Sequence, residues 1–261
     1  MTIDAMAGTA KLVLNGSGDT LTYITNKCLA QQYQLTSNNV TNGTENGYQW
    51  IDLGLSVLWA TCNVGATKPE EYGDYYAWGE VDTYYEPGYA QEKTNTHWKS
   101  NKEKGYAWES YKWCDGSGTT INKYNNNDYY GLVDNKRNLD INDDVAHIKW
   151  GGNWRMPTLS DFDELYEWCT RSWEKNNNVW GIRFTSERVG YEGFSIFLPA
   201  SGARDGNTIE YLNSGGFYWE TTILDEQPSR ACGFAFIKDK IEWRSPSRVN
   251  GLTVRAVCPK K

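Results

Sequence analysis

Two short β-type runs near the C-terminus constrain the fold of this chain more than any other feature. Gly216-Phe217-Tyr218-Trp219-Glu220-Thr221-Thr222 is answered by Asn250-Gly251-Leu252-Thr253-Val254-Arg255-Ala256-Val257. Aromatic and β-branched residues mark both as strands. The second sets Leu252, Val254 and Val257 between a glycine and the end of the chain, so it is expected to close a sheet. The segment between them, 223–249, is dense in aromatic and polar side chains and is pinned at both ends. A segment held that way tolerates change without unfolding the domain. It suits a recognition surface better than a catalytic pocket.

With 261 residues the chain is long enough for one large domain or two small ones. Mean hydropathy is -0.70 and no apolar run approaches the length of a membrane helix, so no spanning segment is expected. Met1-Thr2-Ile3-Asp4-Ala5 has neither the basic nor the apolar region of a signal peptide. Net charge is -7 and the isoelectric point is near 5.0, which argues against a phosphate-backbone partner and hence against nucleic acid. The 13 tryptophans and 18 tyrosines combine apolar bodies with polar tips, serving cores and binding faces alike; for any single tryptophan, packing is the simpler reading.

Six cysteines stand at 28, 62, 114, 169, 232 and 258, none spaced as a CxxC zinc or redox motif. An even count fits an exported protein with disulfides, and points to the cell surface or periplasm. Connectivity stays open, and buried free thiols remain an alternative.

Along the chain, residues 1–47 read as an N-terminal arm or the tail of an upstream module. Lys11–Leu14 and Leu21–Ile24 are candidate strands, and Ser37–Gly43 has linker composition. The main domain, 48–261, is expected to begin near Tyr48, with strands Trp50–Leu55 and Val57–Cys62. Residues 68–130 show little periodicity and many aromatics, so their loops must pack on one another through those rings. One helix is clear: Thr158 is its N-cap, Asp161 completes a capping box, and Phe162, Leu165, Tyr166 and Cys169 form an apolar stripe. It is expected to fade near Trp173. Strands follow at Gly181–Thr185, Ser195–Pro199, Phe217–Thr222, Cys232–Ile237 and Leu252–Val257. The fold class is α+β, a twisted antiparallel sheet with one clear helix and long packed loops.

Several spaced motifs carry a resemblance. Tyr48–Leu55, Leu58–Ala66, Tyr72–Glu80, Asp143–His147 and Trp150–Thr158 are similar to the fibrobacter-type major paralogous domain, over about residues 48–258. That family is common in surface proteins of gut anaerobes. It is related to the C-type-lectin-like fold shared with formylglycine-generating enzymes and with the variable proteins of diversity-generating retroelements. The resemblance implies a C-type-lectin-like fold more firmly than any function.

Diversifying retroelements mutate adenines, typically turning asparagine AAY codons into NNY codons, which never encode Glu, Gln, Lys, Met or Trp. Arg244-Ser245-Pro246-Ser247-Arg248-Val249 and Ile223-Leu224-Asp225 contain only residues such codons reach. An ordinary polar loop has the same property. On the variable reading, Tyr218, Trp219 and Trp243 act as rigid anchors beside Ile223, Leu224, Asp225, Arg244, Ser245, Ser247 and Arg248 as the changeable set, as in antibody paratopes. The ligand would be a protein or a glycan.

Other chemistries find less material. Gln227-Pro228-Ser229 only partly echoes a calcium-lectin tripeptide, with serine where a ligating group belongs. Asp140–Asp144 opens like a calcium loop, but Val145 replaces the required glycine, so Asp143 and Asp144 are read as helix caps before His147. Cys232 and Cys258 lack the surroundings of a formylglycine-generating site. Only His97 and His147 are available for acid–base work, and there is no G-x-S-x-G or phosphate loop. The expectation is therefore a ligand-binding surface domain with no enzymatic activity, no metal and no cofactor. A fixed structural module of a surface lipoprotein or pilus is the alternative, and a formylglycine-type enzyme the third reading.

Overall fold

The computed structural model describes residues 41–238 and 240–260 in full, preceded by the strand backbones β1 (Ile3–Met6), β2 (Thr9–Val13) and β3 (Thr20–Ile24). These three pair antiparallel in the order β1-β2-β3. They overlap the strands expected at Lys11–Leu14 and Leu21–Ile24, while Leu14, Cys28 and residues 37–40 lie outside the described residues.

The sheet that opens the main unit starts before Tyr48. Asn42–Glu45 (β4) pairs antiparallel with Tyr48–Ile51 (β5). Asn46 and Gly47 between them both have positive φ, 47° and 85°, the two-residue turn that matches the twist of a hairpin. Val57–Ala60 (β6) and the C-terminal Val257–Pro259 (β15) complete the order β15-β6-β5-β4. The last run does close a sheet, but its ladder begins at Val257. Residues 251–253 instead make single bridges to Arg204, Tyr76 and Tyr218.

Among the described residues there are two α-helices, Val145–Trp150 and Leu159–Trp168. Asp144 caps the first by accepting from the backbone N–H groups of Ala146 and His147. The second carries the expected capping box: Asp161 N–H donates to Thr158 Oγ1 at 3.2 Å, and Thr158 N–H donates to Asp161 Oδ2 at 2.7 Å. Its end differs from expectation. Cys169–Asn176 is a strand (β7) hairpinned to Val179–Ser186 (β8), with Asn177 and Asn178 in the left-handed turn. Cys169 thus extends the apolar stripe from a strand, and Tyr166 faces solvent. Eight cross-strand pairs outweigh a helical continuation that offers only half-buried Trp173 as an apolar contact.

Ser195–Pro199 (β9) joins this hairpin in the order β7-β8-β9. Gly215–Ile223 (β12), Ala231–Ile237 (β13) and Lys240–Arg244 (β14) form another three-stranded antiparallel sheet, and Ala203–Asp205 (β10) pairs with Thr208–Glu210 (β11). The architecture is mostly antiparallel β with two short helices among the described residues, compatible with the expected α+β class as with a mostly-β one.

Strand alternation makes β12–β14 a two-sided partition. Tyr218, Phe234 and Phe236 face a core that receives Phe162 and Leu165 from the helix; the Phe162 and Phe234 rings stack at 4.7 Å. Phe217, Trp219 and Ala235 face a second core with Trp78, Trp154 and Leu252. A third cluster, tyrosine-rich, fills the irregular stretch with Tyr75, Tyr84, Tyr85, Tyr106 and Tyr111.

That irregular stretch, 61–140, is held by side chains reaching backbone carbonyls. Tyr106 and Tyr111 hydroxyls donate to Tyr75 and Trp78 carbonyls at 2.7 and 2.6 Å. The indoles of Trp78 and Trp219 donate to Glu220 and Tyr76 carbonyls. Three fully buried arginines do the rest. Arg204 donates to the carbonyls of Tyr89, Ala90 and Glu92, with its guanidinium over the rings of Tyr75, Tyr85 and Trp98. Arg255 reaches Asn63 Oδ1 and the carbonyls of Ala60, Thr61 and Phe197. Carbonyl dipoles and ring faces take the place of carboxylate partners for these cations. Gly251 is required by the same packing: a Cβ there would sit 2.5 Å from the Tyr106 ring.

Candidate ligand-binding cleft

Of the ten residues expected to form a recognition face, four lie in the core. Tyr218, Trp219 and Arg248 are fully buried and Ile223 nearly so. Tyr218 donates its hydroxyl to the Pro199 carbonyl at 2.7 Å, and Trp219 ties β12 to the loop through Tyr76. Arg248 is a stitch, not a ligand contact. Its Nε donates to Tyr111 Oη at 2.7 Å, Nη1 to the Tyr124 and Pro228 carbonyls, and Nη2 to the Lys123 carbonyl. These four are corrections to the sequence reading: burial leaves them no surface to offer.

The remaining six divide. Leu224 is half-buried and Asp225 exposed, and that turn is docked on a neighbouring loop. Asp225 accepts from Asn126 Nδ2 at 2.6 Å and from Arg137 Nη1 at 3.0 Å. Trp243, Arg244 and Ser245 line a cleft of about 560 Å³, and Ser247 lines a neighbouring one.

The larger cleft lies between the β10–β11 hairpin and β14 with its continuation to Pro246. Phe217, Leu252 and Ala203 form its floor; Asp205, Glu210, Tyr211 and Asn250 stand on one side, Arg230, Glu242 and Arg244 on the other. Cross-strand partners share a sheet face, so Glu242 and Arg244, opposite Ala235 and Gly233, point into the cleft. Trp243 is opposite Phe234 and its ring lies 5.2 Å from that ring. It meets the cleft from the strand edge, with its indole on the other face. Tyr211, 51% exposed, is the aromatic that stands over the cleft, its ring 5.5 Å from Phe217.

Charges of both signs are held in place. Glu242 accepts from Arg244 Nε at 2.6 Å and pairs with Lys240; hydrogen bonds from Lys240 and then Arg244 hold its carboxyl below the usual range. Arg230 Nη1 donates to the Ser245 carbonyl at 2.7 Å. Asn250 Nδ2 donates to Asp205 Oδ1 at 3.2 Å. Behind the rim, Ala231 N–H donates to the Pro246 carbonyl and Arg248 N–H to the Ser229 carbonyl, so 245–248 runs along 229–231 and is rigidly backed.

In comparisons with known proteins, no family model, curated protein or solved structure matched the chain. The site's chemistry therefore rests on its own residues. Cys232, on β13 beside the cleft, is a half-exposed free thiol whose pKa burial pushes up to about 11, with Glu220 adding to the rise. A thiol held protonated is a poor nucleophile. Cys62, Cys114 and Cys169 are likewise free thiols, so the disulfide framework that the even count suggested does not involve them. Asp144 accepts three backbone N–H groups, from Ala146, His147 and Met156, which makes it the expected cap. Asp143 receives the Tyr124 hydroxyl and Lys123 instead of capping. Among the described residues no helix is long and apolar enough to cross a membrane.

Asp205, Glu210, Tyr211, Arg230, Glu242 and Asn250 were missed from sequence. For the first three a signal was present: Gly206-Asn207 between Asp205 and Thr208 is a two-residue hairpin turn. Nothing local linked that hairpin to residues 230 and 242–250, which it meets only through the fold.

Proposed function

We propose that this protein is a ligand-binding domain that recognises a macromolecule, protein or glycan, at the cleft between the β10–β11 hairpin and β14, and that it performs no chemistry there. One observation carries the reading. Tyr211, Arg230, Glu242, Arg244 and Asn250 converge around one cleft and stand on paired strands or on segments hydrogen-bonded to them. Convergent polar groups and an exposed ring on a rigid scaffold give orientation and affinity with little ordering cost. Glu242, kept ionised by its cationic neighbours, is suited to binding and unsuited to donating a proton.

The domain is, on this reading, C-type-lectin-like and of the fibrobacter-type family its motifs resemble, displayed at the cell surface or in the periplasm. The placement of those motifs supports it: Trp78, Glu80, Asp144, Trp154 and Met156 are all buried, a scaffold away from the cleft. Retroelement diversification, if it operates, falls on fewer positions than the codon pattern alone allowed. Arg244, Ser245 and Ser247 line the two clefts, whereas Arg248 and Val249 are core.

Binding is tested by presenting the wild type and a Tyr211→Ala/Arg244→Ala variant to a glycan array and to a displayed random-peptide library. Ligands retained by the wild type and lost by an equally stable variant are expected. Retention indifferent to both residues would sink the assignment. A near-copy of codons 217–258 downstream of the gene, differing only at adenines, would establish diversification; its absence would leave a fixed face.

A further inference from the structure

A second cleft, of about 330 Å³, lies beside the first and is lined by Trp108, Thr119, Tyr129, Tyr130, Ser229 and Ser247. Arg230 lines both. It forms the ridge between them and is fixed in place: its N–H donates to the Gln227 carbonyl, its carbonyl accepts from Leu224, and its backbone bridges to Ser247. The two clefts differ in chemistry. The first carries the carboxylates of Asp205, Glu210 and Glu242 and the guanidinium of Arg244. The second, Arg230 apart, is aromatic and hydroxyl-bearing, with Tyr129 standing 71% exposed at its rim.

Resting on the ligand-binding reading above, we infer that the ligand is a polypeptide, laid along one strip that spans both clefts across Arg230. Charge decides the class. A nucleic acid needs cations throughout, and a polysaccharide commonly carries no charge or charges of one sign. A cleft presenting fixed charges of both signs complements a partner that itself carries both. The neighbouring aromatic cleft then takes an apolar or aromatic side chain of the same segment. Tyr129, Tyr130, Tyr211, Arg230 and Arg244 in the strip are of the residue types enriched among the strongest contacts at protein–protein interfaces.

The experiment selects a random linear peptide library, displayed on phage, against the whole protein, with a glycan array in parallel. Selected peptides are expected to carry acidic and basic residues beside an aromatic or large aliphatic one. Their affinity is expected to fall at least about tenfold in Glu210→Lys, in the first cleft, and in Tyr129→Ala, in the second, and further in Arg230→Glu. Reversing the facing basic residue of the peptide is expected to restore binding to Glu210→Lys. Glu210 and Tyr129 are both exposed, so these two variants decide the matter even if Arg230→Glu loses stability. Peptides sensitive to one cleft only would overturn the joined strip. Glycans retained through Tyr211 and Arg244 with no peptide selected would overturn the polypeptide class and leave the ligand-binding reading standing. Retention of neither class would overturn both.

Discussion

Arg244 and Arg248 stand four positions apart in one polar run and do opposite things. Arg244 is partly exposed, paired with Glu242 at the mouth of a cleft. Arg248 is fully buried and donates to four groups on three other segments of chain. Trp243 and Trp219 repeat the contrast: one is 45% exposed on an edge strand, the other fully buried with its indole bonded to the Tyr76 carbonyl. Residue type does not separate a recognition face from the scaffold beneath it. What separates them is whether the side chain's donors meet other loops or solvent.

The contrast breaks most severely at Arg248. Arg248→Met keeps the volume but leaves the Tyr111 hydroxyl and the Lys123, Tyr124 and Pro228 carbonyls without their buried donor. Unfolding by denaturant is expected to show a loss of about 4 kcal/mol, since each buried acceptor left without its donor costs about 1–3 kcal/mol. A loss below about 1 kcal/mol, the size of an ordinary surface change, would return Arg248 to the variable set. Trp219→Phe removes the indole donor and part of the ring from a filled core, and is expected to cost about 2 kcal/mol by the same measurement.

Glu220 sharpens the contrast through pH. It is buried on β12, where the Thr222 N–H donates to its Oε2 at 3.1 Å. Burial raises its pKa above the ordinary carboxylate value. The folded state therefore holds the proton more tightly than the unfolded one. The group costs nothing at acid pH, and its cost grows as pH rises from the unfolded value through the raised folded value. Glu220→Gln is expected to raise the melting temperature at neutral pH, with the gain vanishing in acid. A gain independent of pH would refute the charge-burial account. The smallest effect belongs to Arg244→Ala, expected to change stability by under about 0.5 kcal/mol while weakening ligand retention.

Much of the fold was legible because its signals are local. The capping box at Thr158 and Asp161, the Asp144 cap and the strand Ser195–Pro199 all lie where the residues place them. The helix end was misread because Cys169 and Trp173 continue the four-residue spacing from Leu165, while the hairpin turn at Asn177-Asn178, which decides the matter, reads only as a polar stretch. Asn42–Glu45, read as part of the N-terminal arm, pairs with Tyr48–Ile51 through the Asn46-Gly47 turn, a two-residue hairpin signal that was passed over. The cleft was half legible. Arg244, Ser245 and Ser247 were found through position and codon class, but burial of Tyr218, Ile223 and Arg248 depends on loops a hundred or more positions away in several cases, such as Tyr111 and Tyr124 against Arg248. Long-range packing of this kind leaves no period in the local sequence.

One measurement reaches the central claim directly: saturation mutagenesis of residues 243–249 on a surface-displayed form of the protein, sorted for folding by protease resistance. The account predicts broad tolerance at Arg244, Ser245 and Ser247 and strong restriction to the native residue at Arg248, with only apolar residues accepted at Val249. Equal tolerance along the whole run would contradict it, because no side chain in the run would then be stitching the loops to the core.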